Sequence, residues 1–250
     1  EGTIKTIETI ETIEKWEREK AAAKEELKHV QPGLNSLSNA IKKAKQYGFK
    51  DIFLKSGVHD ERGEQVIIDF ALKVVGQNKD DVKIRAGLVI KGKEEEDVFL
   101  SDCTVTGAKE TGVFGIGAAM HLKNVCVEKC GKSGVVVNDG LNGGGSNTRN
   151  TMTDCNVNNN KQCGVCVMNG GCITIDGSAT TIHHNVTDYN VITVGNFFGL
   201  YRGLTAREDS SIHLKSLTKE SISTNNGCGR DEILNKSKYN YGGDGTIKTI

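Results

Sequence analysis

The chain has 250 residues with 30 Gly and a single Pro, a balance that favours one continuous architecture over two units joined by a proline-rich hinge. Lys plus Arg and Asp plus Glu both total 32, so no net field draws the chain to nucleic acid or an anionic membrane. Aromatics at 5% offer little base-stacking surface, and no run reaches the roughly 18 apolar residues of a membrane span.

The N-terminus is built of Thr-Ile-x triplets, with Ile4, Ile7, Ile10 and Ile13 leading to Trp16. They run into Glu14–Val30, rich in Glu, Lys, Ala and Leu, which predicts an amphipathic helix ending before Pro32-Gly33. A second helix is expected over Leu34–Tyr47, with Leu34, Leu37, Ala40, Ile41 and Ala44 on one stripe and Gly48 as its stop. The period then changes to two, and Asp51–Lys55, Gln65–Asp69, Ala71–Val75 and Val82–Arg85 read as short strands.

From residue 98 the chain becomes an irregular repeat. Leu100, Leu122, Met152, Ile182 and Ile212 open successive units at steps of 22 or 30 residues. Two positions later come Asp102, Asn124, Asp154 and His184, and twelve positions later Gly112, Gly134 and Gly164, each followed by Val. The extra residues of the longer units are assigned to insertions at 138–150 and 168–180, on one side of a solenoid. Such a unit is too short for a propeller blade and lacks a leucine-rich consensus, which leaves a parallel coil with inward ladders, Leu100–Leu122–Met152–Ile182–Ile212 and Cys103–Val125–Cys155. An Asp or Asn at the same turn of successive coils can take a bridge or left-handed conformation and hydrogen-bond up the stack, which accounts for Asp102, Asn124 and Asp154 without chemistry.

With its opening helix, Asp51-Ile-Phe-Leu-Lys-Ser-Gly-Val-His59, then Leu72-Lys-Val-Val-Gly76 and Val82-Lys-Ile84, the chain resembles the pectin-lyase-like right-handed parallel β-helix superfamily over Leu34–Gly227, with His59 where that family usually has Tyr. The resemblance implies an all-β solenoid, with an N-terminal segment and helix over 1–33, a right-handed parallel β-helix over 34–227 and a polar tail over 228–250. It implies no single activity, since the superfamily holds lyases, hydrolases, esterases, epimerases and non-enzymatic coils. The paired-Asp, Asp-Pro-His-Asp and Gln-Asp-Thr signatures of its better-known enzymes are absent from this sequence.

Candidate chemistry lies in two places. Lys123, His183 and His213 fall one position after a buried opening residue, so alternation points them outward as a strip that could bind an acidic sugar or act as acid and base; a solvated β face is the ordinary alternative. Tyr201 and Arg202, with Arg207 and Asp209, interrupt the repeat where a Gly-Val strand is due, a composition suited to sugar carboxylates and hydroxyls, although an ending coil also loses its repeat. The eight cysteines are too sparse to replace a core, and the lone Cys163-Gly-Val-Cys166 has no second pair for zinc, so buried thiols with no metal and no cofactor are expected.

The ends carry the last signal. Glu1-Gly-Thr-Ile-Lys-Thr-Ile7 returns as Asp244-Gly-Thr-Ile-Lys-Thr-Ile250, which suggests the start of a second module copy or local slippage, and hence end-to-end self-association. No basic and apolar leader opens the sequence, so it reads as a piece of a longer chain; two glycosylation sequons, at Asn185 and Asn235, lean toward an extracellular or surface location. The leading expectation is a non-enzymatic structural or adhesive module that contacts polysaccharide, and the alternative is a diverged lyase, hydrolase or epimerase.

Overall fold

Two helices open the chain and close one end of its hydrophobic interior. The computed structural model describes residues 2–93, 95–138, 149–185, 203–207, 209–224, 226 and 245–250, with the backbone alone for 2–9, 219 and 220. Helix α1 (Gly2–Leu27) begins before Glu14 and takes in the Thr-Ile-x run. Isoleucines three apart drift about 60° per step around a helix, so they make no stripe. Ile10 and Ile13 accordingly remain 50% and 56% exposed, while Ala23 and Leu27 in the last turns are buried against the coil. Gly33–Leu34 forms a two-residue strand, β1, so α2 starts later than expected and spans Ser36–Tyr47. Its buried face is Leu37, Ala40, Ile41 and Ala44, and Gly48 ends it in the left-handed region at φ 72°.

The strands follow: β2 (Asp51–Leu54), β3 (Gly57–Ile68), β4 (Leu72–Gly76), β5 (Val82–Lys91), β6 (Val98–Thr106), β7 (Val113–Ile116), β8 (Met120–Glu128) and β9 (Val135–Asn138). Next come β10 (Asn150–Thr153), β11 (Asn156–Asn158), β12 (Val165–Met168), β13 (Cys172–Asp176), β14 (Thr181–His183), β15 (Leu204–Ala206) and β16 (Ser211–Leu214). A short helix α3 (Lys219–Ile222), β17 (Ser223–Thr224) and β18 (Thr246–Thr249) complete the series. Every described pairing is parallel and joins a strand to its equivalent one coil on. The result is an all-β solenoid, a right-handed parallel β-helix with a helix at its N-terminus.

Each coil visits three faces. Face 1 stacks β2, β4, the first halves of β6 and β8, then β10, β13, β16 and β18. Face 2 stacks β1, the first halves of β3 and β5, the second halves of β6 and β8, then β11, β14 and β17. Face 3 stacks the second halves of β3 and β5, then β7, β9, β12 and β15. The last rung of face 1, β18, lies within the segment read from sequence as a tail.

The corners explain the turn residues. Between faces 1 and 2, Asp102, Asn124, Asp154, Gly177 and Ser216 all have positive φ. Between faces 2 and 3 the same conformation falls on Gly107, Lys129, Asn159 and His184. Such left-handed residues turn the chain without breaking the rungs on either side, and Gly, Asn and Asp tolerate them best.

This register corrects the repeat read from sequence. Leu100, Leu122 and Met152 stack as expected, but Met152 is followed by Ile175, whereas Ile182 sits on face 2 against Val157 and Ile212 pairs with Ile173. Residues 168–180 are therefore no insertion, because they contain the face 1 strand β13. All five supposed partners are still buried, at 2% exposure or less, so alternation identified the interior correctly but gave Ile182 the wrong face and Ile212 the wrong column of face 1. His184 likewise belongs to the Lys129–Asn159 corner, away from Asp154.

Directly after that corner comes a column of side chains, Ala108, Cys130, Asn160 and Asn185, all buried, and then the partly buried Asn226. Asn185 Nδ2 donates to Val157 O at 2.9 Å and to Asn226 Oδ1 at 2.9 Å, while its Oδ1 accepts from Asn160 N at 3.2 Å and Asn160 Nδ2 at 2.9 Å. Asn160 repeats the pattern upward, with Nδ2 donating to Val127 O at 3.1 Å and Oδ1 accepting from Cys130 N at 3.0 Å. The Gly-Val repeat follows from this ladder: a Cβ on Gly134 would stand 2.7 Å from Asn160 Nδ2 and 2.5 Å from Val157 Cγ1.

Candidate functional site

Outward columns follow directly from the register. On face 1, Phe99, His121, Thr151, Thr174, His213 and Lys248 form one column, and Ser101, Lys123, Thr153 and Asp176 form the neighbouring one. On face 2, Thr106, Glu128, Asn158, His183 and Thr224 form another. The expected strip of Lys123, His183 and His213 is therefore divided: Lys123 and His213 share face 1 in adjacent columns, and His183 points from a different face. The cause is the shift of register at β13.

His183 instead meets its chain neighbour. Its Nδ1 lies 2.7 Å from His184 Nδ1 with the rings edge to face, and burial followed by the neighbouring imidazole lowers its pKa from 6.5. His213 has Cys172 Sγ 3.8 Å from its Nδ1, and burial, then the Lys248 charge, lowers its pKa. Arg207 and Asp209 lie at the corner leading back to face 1, where the Arg207 carbonyl accepts from Ser210 N at 3.1 Å and Asp209 takes φ 58°. Tyr201 and Arg202 lie outside the described residues, so the proposed grouping of four is represented by these two alone.

The densest outward cluster was not singled out from sequence. Phe99, 42% exposed on β6, stacks on His121 of β8 with centroids 4.5 Å apart and planes at 16°. His121 Nδ1 is 2.9 Å from Thr151 Oγ1 on β10, and its Nε2 is 3.7 Å from Asp97 Oδ1 just before β6. Arg149, just before β10, pairs with that same Asp97 oxygen. Asp97 and Arg149 are two coils apart around His121, an arrangement that sequence distance conceals. A proton on Nε2 facing the carboxylate leaves Nδ1 to accept the Thr151 hydroxyl. Burial lowers the His121 pKa, so the ring is neutral at pH 7.

The result is an outward cluster: two stacked rings beside a cation, a carboxylate and a hydroxyl. Lys73, Lys123, Lys215 and Lys248 are exposed along the same face. The Phe99 face turned away from His121, near a charge-assisted donor, suits a sugar ring carrying hydroxyls and a carboxylate.

A second pairing looks chemical and is structural. Ser36 Oγ lies 2.8 Å from His59 Nδ1, and His59 Nε2 donates to Lys55 O at 3.0 Å, a nucleophile-and-base geometry at a helix N-terminus. The Leu37 and Ser38 amides that would have to stabilise an oxyanion there are taken by Glu61 Oε1 at 2.9 and 3.1 Å. His59 is fully buried, so this network fastens α2 to the first coil. None of the seven described cysteines is in a disulfide, and burial pushes the Cys130 and Cys155 thiols up to about 12, which leaves them unreactive. Among the described residues no group of three or more His, Cys, Asp or Glu converges on a metal position, and no helix is long and apolar enough to cross a membrane.

Comparison of the chain with family models, with curated proteins and with solved structures gives no match.

Proposed function

We propose that this chain is a non-enzymatic β-helix module of the pectin-lyase-like superfamily, part of a structural or adhesive protein that holds an acidic polysaccharide along face 1. The observation that carries the reading is the Phe99–His121 stack with Arg149 and Asp97 at its edge. Phe99 gives a sugar ring a flat apolar contact, Arg149 pairs with a uronate carboxylate, and Thr151 and Asp97 meet hydroxyls. The exposed lysines of the face extend the attraction to neighbouring sugars. Rigid rungs hold these groups at fixed spacing, so binding loses little conformational freedom.

Affinity electrophoresis through gels holding polygalacturonate or a neutral glucan tests this. Retardation by the uronate gel, reduced several-fold in Phe99→Ala and Arg149→Ala, is the expected result. Equal mobility of the intact protein in both gels and in a gel without polysaccharide overturns it.

A diverged lyase is the second reading, and it rests on one observation: a neutral His121 and Arg149 sit around one carboxylate, as a base and a carboxylate clamp would. Ultraviolet absorbance of an unsaturated uronide, growing with time and absent in His121→Ala, would establish elimination in place of simple binding.

A further inference from the structure

The hexapeptide Gly-Thr-Ile-Lys-Thr-Ile occurs twice and takes two conformations. As Gly2–Ile7 it lies in α1, and as Gly245–Ile250 it supplies β18. The helical copy is intrinsically weak. Every Thr and Ile of the run over 3–13 is β-branched, a composition that favours strand over helix. Ile10 and Ile13 gain little from the coil, being half or more exposed; the first ring contact of α1 is made by Trp16, 6.2 Å from Tyr47 at the end of α2.

The strand copy ends a stack. β18 lies parallel on β16, with Ile247 over Ile212, and among the described residues no strand pairs with its other edge. Its Thr246 and Ile250 amides donate to Ser210 and Leu214 carbonyls, so the intervening Ile247 and Thr249 amides face away from β16. Ile212 is fully buried, whereas Ile247 is only partly buried against the core. One more rung would seal it.

We propose that the Thr3–Thr6 segment of a second copy of this chain adds to β18 as that rung, parallel and in register, passing from helix to strand as it docks. Like then stacks on like, with Thr3 on Thr246, Ile4 on Ile247 and Lys5 on Lys248. This continues the interior column Ile173–Ile212–Ile247 with a residue of the same shape. The donor segment and the acceptor edge are different surfaces, so the contact is heterologous and builds a head-to-tail series in which each added molecule offers a fresh β18. The helix is lost only where it is Thr-Ile-x, and the turns from Trp16 onward keep their packing. Lys5 beside Lys248 opposes two like charges about 4.8 Å apart, so added salt strengthens the association. None of this depends on a ligand at Phe99 and His121.

Sedimentation velocity over a range of concentration and salt reads the assembly. The expected result is a mass that rises with concentration, more steeply at high salt, and a monomer at every concentration for a chain lacking residues 1–13 whose far-ultraviolet circular dichroism loses only the helical contribution of that stretch. A second measurement does not rely on that deletion folding well. Thr3→Cys and Thr246→Cys proteins, mixed and mildly oxidised, should yield a disulfide-linked peptide between positions 3 and 246, because adjacent rungs bring them within bonding reach. A chain that stays monomeric throughout, an assembly that survives the deletion, or an assembled mixture without the 3–246 peptide each overturns the proposal. The last of these would point to helix-to-helix association through Ile10 and Ile13.

Discussion

The column that begins at Ala108 changes chemistry halfway along the coil. Its first two residues, Ala108 and Cys130, close the corner by apolar contact, and its last three, Asn160, Asn185 and Asn226, close it by an amide ladder. The backbone does the same thing in the apolar half and at its junction with the amide half: Gly131 N donates to Ala108 O at 2.8 Å and Lys161 N to Cys130 O at 3.1 Å. What differs is tolerance. An apolar corner accepts whatever fills its volume, whereas an amide corner requires that each member find both a donor and an acceptor.

The comparison is broken most severely from the apolar side. Met152→Asp places an unpaired charge between Leu122 and Ile175, and loss of the cooperative unfolding transition is expected; a soluble protein that unfolds cooperatively would refute the register. Next comes Asn185→Leu, which strands the Asn160 amide and the Val157 carbonyl and should lower stability by about 3 kcal/mol in urea denaturation. Gly134→Ala drives a Cβ into Val157 and Asn160 together, at a cost of about 2 kcal/mol, more than any alanine at an exposed site. An exchange sharpens the point. Asn160→Cys should cost about 2 kcal/mol because its neighbours lose partners, whereas Cys130→Asn should change stability by less than about 1 kcal/mol, since it lengthens the ladder by one rung.

The smallest effect follows from pH. Burial lowers the His59 pKa below its ordinary 6.5, so the fold holds the ring neutral while the unfolded chain protonates it. The unfolded state thus binds more protons below 6.5. The contribution of His59 is fully present above 6.5 and falls as the pH drops through the lowered folded value. Urea midpoints measured above and below 6.5 should fall on acidification, and by less in His59→Gln.

Much of the coil was legible because one residue type at one position has one cause. Gly112, Gly134 and Gly164 mark a close approach that no side chain survives, and Leu100, Leu122 and Met152 mark one interior column. The reading failed where two causes give the same letters. Cys172–Asp176 and Thr181–His183 both set Ile between outward residues, so alternation alone cannot say which face each belongs to. The corners could have decided it, since Gly177 follows the first strand and His184 the second. The candidate site was illegible for another reason. Asp97 and Arg149 precede their strands and meet only through the stacking of three coils, a proximity that no local period encodes.

The two helices at the start of the chain bear on how the molecule reaches its structure. Leu27, Leu37 and Ile41 cover Ile52 and Leu54, so the earliest part of the chain makes a finished surface with one open rim. Contacts between neighbouring coils join residues close in sequence, from Asp102 and Asn124, 22 positions apart, to Val165 and Leu204, 39 apart, in a chain of 250 residues. Such short loops are closed at low entropic cost, and each closed coil lays down the template for the next. An all-β chain with this wiring has a route to its structure from the capped end outward, one turn at a time, that does not wait for its last coils to be made.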